Sequence, residues 1–119
     1  MKNAITWFEI FVSDMDRAAR FYESAFQLEL KREIFFGKPF GVFPADEEGI
    51  SGALVYDPAR KPSEAGTLLY LPVDDVDATL KRVSAQGGRT VQPKTSIGEF
   101  GTIAVILDSE GNAVGLHQR

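Results

Sequence analysis

At 119 residues, 44% of them hydrophobic and none of them cysteine, the chain is sized for one domain with its own core. It has no means to form a disulfide, a thiolate metal site or a cysteine nucleophile. The formal net charge of −4 comes with Lys and Arg scattered along the sequence, not gathered in a stripe, which argues against nucleic-acid and membrane partners. No apolar run approaches spanning length and no signal-peptide pattern opens the sequence, so the cytoplasm is the expected compartment.

In chain order, residues 4–12 read as a strand rich in aromatic and β-branched side chains. Asp14, or Ser13, is a natural N-cap, and Met15, Ala18, Tyr22, Ala25 and Phe26 recur after it at helical spacing. Strands are predicted near 28–36, 40–44 and 50–56, with Gly37-Lys38-Pro39 as the first turn. The stretch 58–66, with Pro58, Pro62 and Gly66, reads as a linker. A strand over 67–73 then leads to a helix that starts at Asp74 or Asp75 and runs to about Gln86. Val76, Leu80 and Val83 form its apolar stripe, and Gly87-Gly88 ends it. Strands follow near 89–93, 101–107 and 113–118, the last two joined by a tight turn at Ser109-Glu110-Gly111-Asn112. Gln92 to Gly101 reads as an exposed loop.

The order repeats. Val12-Ser13-Asp14-Met15-Asp16 and Val73-Asp74-Asp75-Val76-Asp77 each close a strand and open a helix, and Asp46-Glu47-Glu48-Gly49 is echoed by Asp108-Ser109-Glu110-Gly111. The chain therefore reads as one domain of two βαβββ copies, about 4–57 and 67–118. This is an α+β arrangement of curved mixed sheets with a cleft between them. Neither copy is large enough to bury a core alone.

Three stretches carry a more specific likeness. They are Trp7-Phe8-Glu9-Ile10-Phe11-Val12-Ser13-Asp14 with Phe21-Tyr22-Glu23, then Leu71-Pro72-Val73-Asp74-Asp75-Val76, and Asp108-Ser109-Glu110-Gly111-Asn112-Ala113-Val114-Gly115-Leu116. With the paired βαβββ units, the chain resembles the vicinal oxygen chelate superfamily, which includes glyoxalase I, fosfomycin-resistance enzymes, extradiol dioxygenases and bleomycin-resistance proteins. The resemblance implies a concave face where enzymes of this kind hold a divalent ion on His, Gln or Glu side chains from four strands. Carried onto this sequence, those positions are Trp7, Leu68, Gly115 and either Gly52 or Ala53. None of these side chains ligates a metal, so neither a metal nor another cofactor is expected.

Strand alternation supplies other candidates. Trp7, Glu9 and Phe11 share one face of the first strand, and Phe8, Ile10 and Val12 share the other, which suits a helix. The same parity directs Leu68 and Tyr70, and Gly115 and His117, toward the cleft. Trp7, Glu9, Tyr70 and His117 are therefore the candidate ligand-binding residues: an indole, a carboxylate, a phenol and the only histidine. A solvated Glu9 and His117 near the chain ends is the plainer alternative. The pair is too small a donor set for a displaced metal, since zinc takes three or more protein ligands.

Three functions fit these residues. The first is a small-molecule binding or sequestering protein of the bleomycin-resistance type, which the empty donor positions favour. The second is a lyase or isomerase resembling glyoxalase I, with Glu9 as base. The third is a regulatory domain with a vestigial cleft. Open strand edges and the resemblance both imply a C2 homodimer with a site near its interface.

Overall fold

The computed structural model describes residues 3–119. Its first unit comprises β1 (Trp7–Phe11), α1 (Met15–Phe26), β2 (Lys31–Phe35), β3 (Lys38–Val42) and β4 (Ser51–Val55). The second comprises β5 (Leu69–Pro72), α2 (Val76–Ala85), β6 (Arg89–Ser96), β7 (Thr102–Leu107) and β8 (Ala113–Gln118), with a short 3-10 turn at Gly98–Phe100. Each unit forms a four-stranded sheet, ordered β1-β4-β3-β2 and β5-β8-β7-β6. The first strand of each sheet pairs parallel to the last, and the other pairings are antiparallel. This is the α+β fold of two tandem βαβββ units that the repeat implies.

Both helices begin where an aspartate can cap them. The Asp14 side chain accepts from the Arg17 N–H and that of Asp75 from the Ala78 N–H, each satisfying an amide that the first turn leaves free. Met15, Ala18, Ala19, Tyr22 and Ala25 make the buried stripe of α1. Gln27, in the left-handed region at φ 53°, ends the helix by donating its N–H to the Glu23 carbonyl. In α2 the chain leaves through Gly87 at φ 93°. The next residue must also be glycine, because a Cβ on Gly88 would lie 2.6 Å from the Leu107 carbonyl oxygen.

The helices pack on each other, and the Arg82 guanidinium of α2 donates to the Ala25 carbonyl near the end of α1 at 2.8 Å. One core spans both units and includes Ile10, Phe21, Leu54, Val83, Ile106 and Leu116. Each such large side chain, fully buried, contributes about 1.5–3 kcal/mol. The units are also tied by polar contacts. Tyr22 donates its hydroxyl to buried Asp108 at 2.5 Å, and the Asn112 amide donates to the Phe11 carbonyl at 2.8 Å. Burial and the adjacent Asp108 charge push the Tyr22 pKa well above its ordinary value of 10.0.

Two local expectations are corrected. The first hairpin turns at Phe36-Gly37, both with positive φ (54° and 74°), and Lys38-Pro39 already belong to β3. Two central residues with positive φ suit the right-handed twist of a tight hairpin. The expected loop after Gln92 is largely strand, because β6 runs on to Ser96. It carries Pro93 by breaking register with β7 between Gln92 and Thr95, at an edge where the missing N–H has nothing to bond. The echoed acidic turns also differ. Asp46-Glu47-Glu48-Gly49 is exposed, whereas Asp108 is buried and Glu110 reaches α1.

No helix among the described residues is long and apolar enough to cross a membrane.

Candidate functional site

Core packing decides which face of each sheet is free. Ile10 and Val12 are buried and Phe8 packs against the same core, which leaves Trp7, Glu9 and Phe11 on the opposite face of β1. The parallel register sets Glu9 beside Ala53 and Phe11 beside Val55, and the antiparallel one sets Val55 beside Phe40. Phe40, Ala53 and Val55 form a second apolar cluster with Phe11 and Val42 on this face, and Phe35 meets Phe40 edge-on at 5.1 Å. Arg60, from the linker, lies over the Phe11 ring with its guanidinium carbon 5.4 Å from the centroid. Beyond it the Lys38 ammonium meets the Asp57 carboxylate at 2.9 Å, and this hydrogen bond, with the Ala59 N–H, holds Asp57 below the usual carboxylate range.

In the second sheet, Leu71 and Leu116 are buried, so Tyr70, Gly115 and His117 take the face away from the core. Tyr70 lies alongside Gly115, where a Cβ would come within 2.4 Å of the ring. The glycine makes room for the phenol.

The four candidates thus fall into separate local arrangements. Trp7 Nε1 donates to the Glu9 carboxylate at 3.2 Å, which brings two of them together on β1. His117 Nε2 is bound to the Phe100 carbonyl at 2.7 Å, which orients the ring toward the 3-10 turn. Trp7 is 42% exposed and Tyr70 43%, a high value for large aromatic side chains on strands. No hydrogen bond or ion pair among the described residues joins Glu9, Tyr70 and His117 to one another.

The donor positions implied by the resemblance do not fit a divalent ion. Register resolves the ambiguous one: Ala53 lies opposite Glu9 on the free face, while Gly52 faces the core, where a Cβ would stand 2.3 Å from the Phe8 ring. Trp7, Ala53, Leu68 and Gly115 offer no lone pair suited to coordination. Among the described residues no group of three or more His, Cys, Asp or Glu side chains is placed to hold a metal ion.

Two concavities lie where the units meet. One, of about 310 Å³, is lined by Glu9, Phe11, Lys61, Thr67, Leu69 and Asn112 among others. The other, of about 280 Å³, is apolar and lies between Phe8, Phe26, Phe43, Leu69 and Tyr70. Lys61 and Asn112 escaped sequence reasoning. Lys61 sits in a segment without periodicity, and the Asn112 contact depends on a fold between residues far apart in the chain.

Two sheets of this topology, with helices on one side and an open apolar face on the other, define the glyoxalase-type class of fold. The sequence profile of the Glyoxalase/Bleomycin resistance protein/Dioxygenase superfamily matches residues 4–116, and the chain belongs to that family. CFP32 of Mycobacterium tuberculosis, provisionally named a glyoxylase, is 29% identical over 108 residues, which is 90% of this chain but 41% of that protein. The chain therefore spans well under half the length of this relative. A glyoxylase-like domain-containing protein of Didymella fabae is 28% identical over 91% of the chain and 88% of its own length. Among solved structures, the antibiotic binding protein TnmS3 from Streptomyces sp. CB03234 superposes with a TM-score of 0.71 at 28% identity, covering 98% of this chain and 95% of that one.

Proposed function

We propose that this protein binds and sequesters a small molecule on the free faces of its sheets without using a metal, and that it does so as a homodimer in the cytoplasm. The observation that carries the reading is the exchange at the donor positions. Trp7, Ala53, Leu68 and Gly115 occupy the positions that the resemblance assigns to metal donors, and the surrounding face is aromatic, with Glu9 and, beside Phe40, Glu33 as its carboxylates. Such a surface suits an aromatic ligand that carries a hydrogen-bond donor or a positive charge for Glu9. The likeness to an antibiotic binding protein supports this class of ligand over a substrate to be turned over. In this reading Trp7, Glu9, Tyr70 and His117 line the site, with the 119 residues acting as one glyoxalase-like domain.

Trp7 is the only tryptophan, so its fluorescence reports on the proposed site directly. Titration with a panel of aromatic antibiotics should give saturable quenching that chelator leaves unchanged. Glu9→Gln keeps the shape and removes the charge. The loss of one charge-assisted hydrogen bond, worth about 1.5–3 kcal/mol, should weaken binding by about ten- to a hundredfold. Binding that disappears on chelation, or turnover of the ligand, would favour the lyase or isomerase reading. If no panel member quenches Trp7, the reading of these four residues as an aromatic-binding site fails.

A further inference from the structure

The linker between the units is pinned at both ends. Asp57 accepts the Ala59 N–H on its carboxylate and the Arg60 N–H on its carbonyl, both at 2.9 Å, which closes a tight turn around Pro58. Further on, the Ser63 N–H donates to the Asn112 side chain at 2.9 Å, and the Ala113 N–H donates to the Ser63 carbonyl. Arg60 and Lys61 stand between these two anchors, so their backbone is held in place although it belongs to no helix or strand. The Phe11 ring beneath the Arg60 guanidinium places that side chain further.

Between this linker and the ends of β1 and β4 lies a concavity of about 450 Å³, lined by Ser13, Tyr56, Asp57, Arg60, Lys61 and Glu110 among others. That volume is in the range of small-molecule sites. Its two acids are already engaged: Asp57 pairs with Lys38, and the buried Glu110 carboxylate pairs with Arg17 and caps α1. Its two cations are not. No hydrogen bond or ion pair among the described residues takes the Arg60 guanidinium or the Lys61 ammonium. Arg60 reaches the Asp57 carboxylate only as a more distant charge, behind Lys38 and the Ala59 N–H. The Ser13 and Tyr56 hydroxyls likewise have no bond among the described residues. In a chain of net charge −4, the concavity thus gathers positive charge and unused donors.

We infer that this concavity binds the oxyanion of a small molecule, a phosphate or carboxylate group, on Arg60 and Lys61, with the Ser13 and Tyr56 hydroxyls as further donors. None of Trp7, Glu9, Tyr70 and His117 lines it, so the inference does not depend on the aromatic site. The planar fork of Arg60 matches two oxygens of such a group, and Lys61 adds a point charge. Because Asp57 and Glu110 keep their own partners, an entering anion meets no free carboxylate on the walls and displaces no internal ion pair. A linker already fixed at Asp57 and Ser63 lowers the entropy lost in gathering the donors. Inorganic phosphate and an organic anion both carry this chemistry, and the volume leaves room beside the oxyanion for an organic body.

The test is an amide-resolved NMR titration of the whole protein with inorganic phosphate, phenyl phosphate and benzoate, at an ionic strength held constant with sodium chloride. Saturable shifts centred on the N–H groups of Ser13, Tyr56, Arg60 and Lys61 are expected. Tighter binding of a phenyl compound would identify an organic anion as the ligand, and equal affinity of the two phosphates would identify the free ion. Arg60→Gln combined with Lys61→Gln should weaken binding at least about tenfold. Lys61→Gln alone should weaken it too, and it keeps the test valid if losing the Arg60–Phe11 contact disturbs the linker. Lys81→Gln, the same loss of charge at an exposed position of α2, should leave binding unchanged. Absence of saturable shifts at tens of millimolar of all three anions, equal effects of Lys61→Gln and Lys81→Gln, or shifts confined to other regions would each overturn the inference.

Discussion

Glu110 shows how one side chain can bind two halves of a fold. Its carboxylate, fully buried, accepts from the Ser13 and Asp14 N–H groups at 2.9 Å and from the Arg17 guanidinium at 2.6 Å, so a turn of the second unit caps the first helix of the other. Burial pushes its pKa up, but the bonds from Arg17, Asp14 and Ser13 prevail and hold it below the ordinary 4.5. A carboxylate whose folded pKa is lowered contributes stability that is present above 4.5 and lost as pH falls through the lowered folded value. Glu110→Ala should therefore destabilise the native chain by about 2 kcal/mol at neutral pH, a fall of roughly 8 °C in Tm. The difference from wild type should shrink as the pH is lowered below 4, which thermal unfolding across the acid range would check. None of this was legible in sequence. Asp46-Glu47-Glu48-Gly49 has the same character as Asp108-Ser109-Glu110-Gly111, and only the fold sends one to solvent and the other to α1. The caps at Asp14 and Asp75 were legible because an N-cap bonds within its own first turn, next to a visible apolar stripe.

Elements were readable where periodicity is local and unclear where a neighbouring strand decides. β1, α1 and α2 follow from alternation and helical spacing, but β6 continues through Pro93 because it lies at an edge and breaks register there. Phe36 is a second case. It sits at φ 54° with 96% of its surface exposed, a conformation that costs a non-glycine residue about 1 kcal/mol or more. Phe36→Asn, which places Asn-Gly in a two-residue hairpin turn, should stabilise the chain by about 1 kcal/mol in denaturant unfolding. An unchanged or lower midpoint would mean that the exposed ring contributes to the native state through a contact the single chain does not contain.

At the scale of the molecule, the repeat gave the architecture and the residues that replace metal donors gave the direction of the functional reading. Trp7, Glu9, Tyr70 and His117 are brought to the free faces of two sheets, and only Trp7 and Glu9 are bonded to each other, which fits a binding surface spread over two units better than a compact catalytic cluster. Open edges at β2 and β6 remain to be covered, and a C2 dimer would cover them. Sedimentation at micromolar concentration should give twice the 13.1 kDa of one chain, and a single-chain mass would remove the dimer from the account. The central claim is that the site works without a metal. Elemental analysis of protein purified without chelator tests it most directly. The account predicts zinc, nickel, manganese and iron at well below one ion per chain, whereas one tightly held divalent ion per chain, lost on replacing Glu9 or His117, would contradict it.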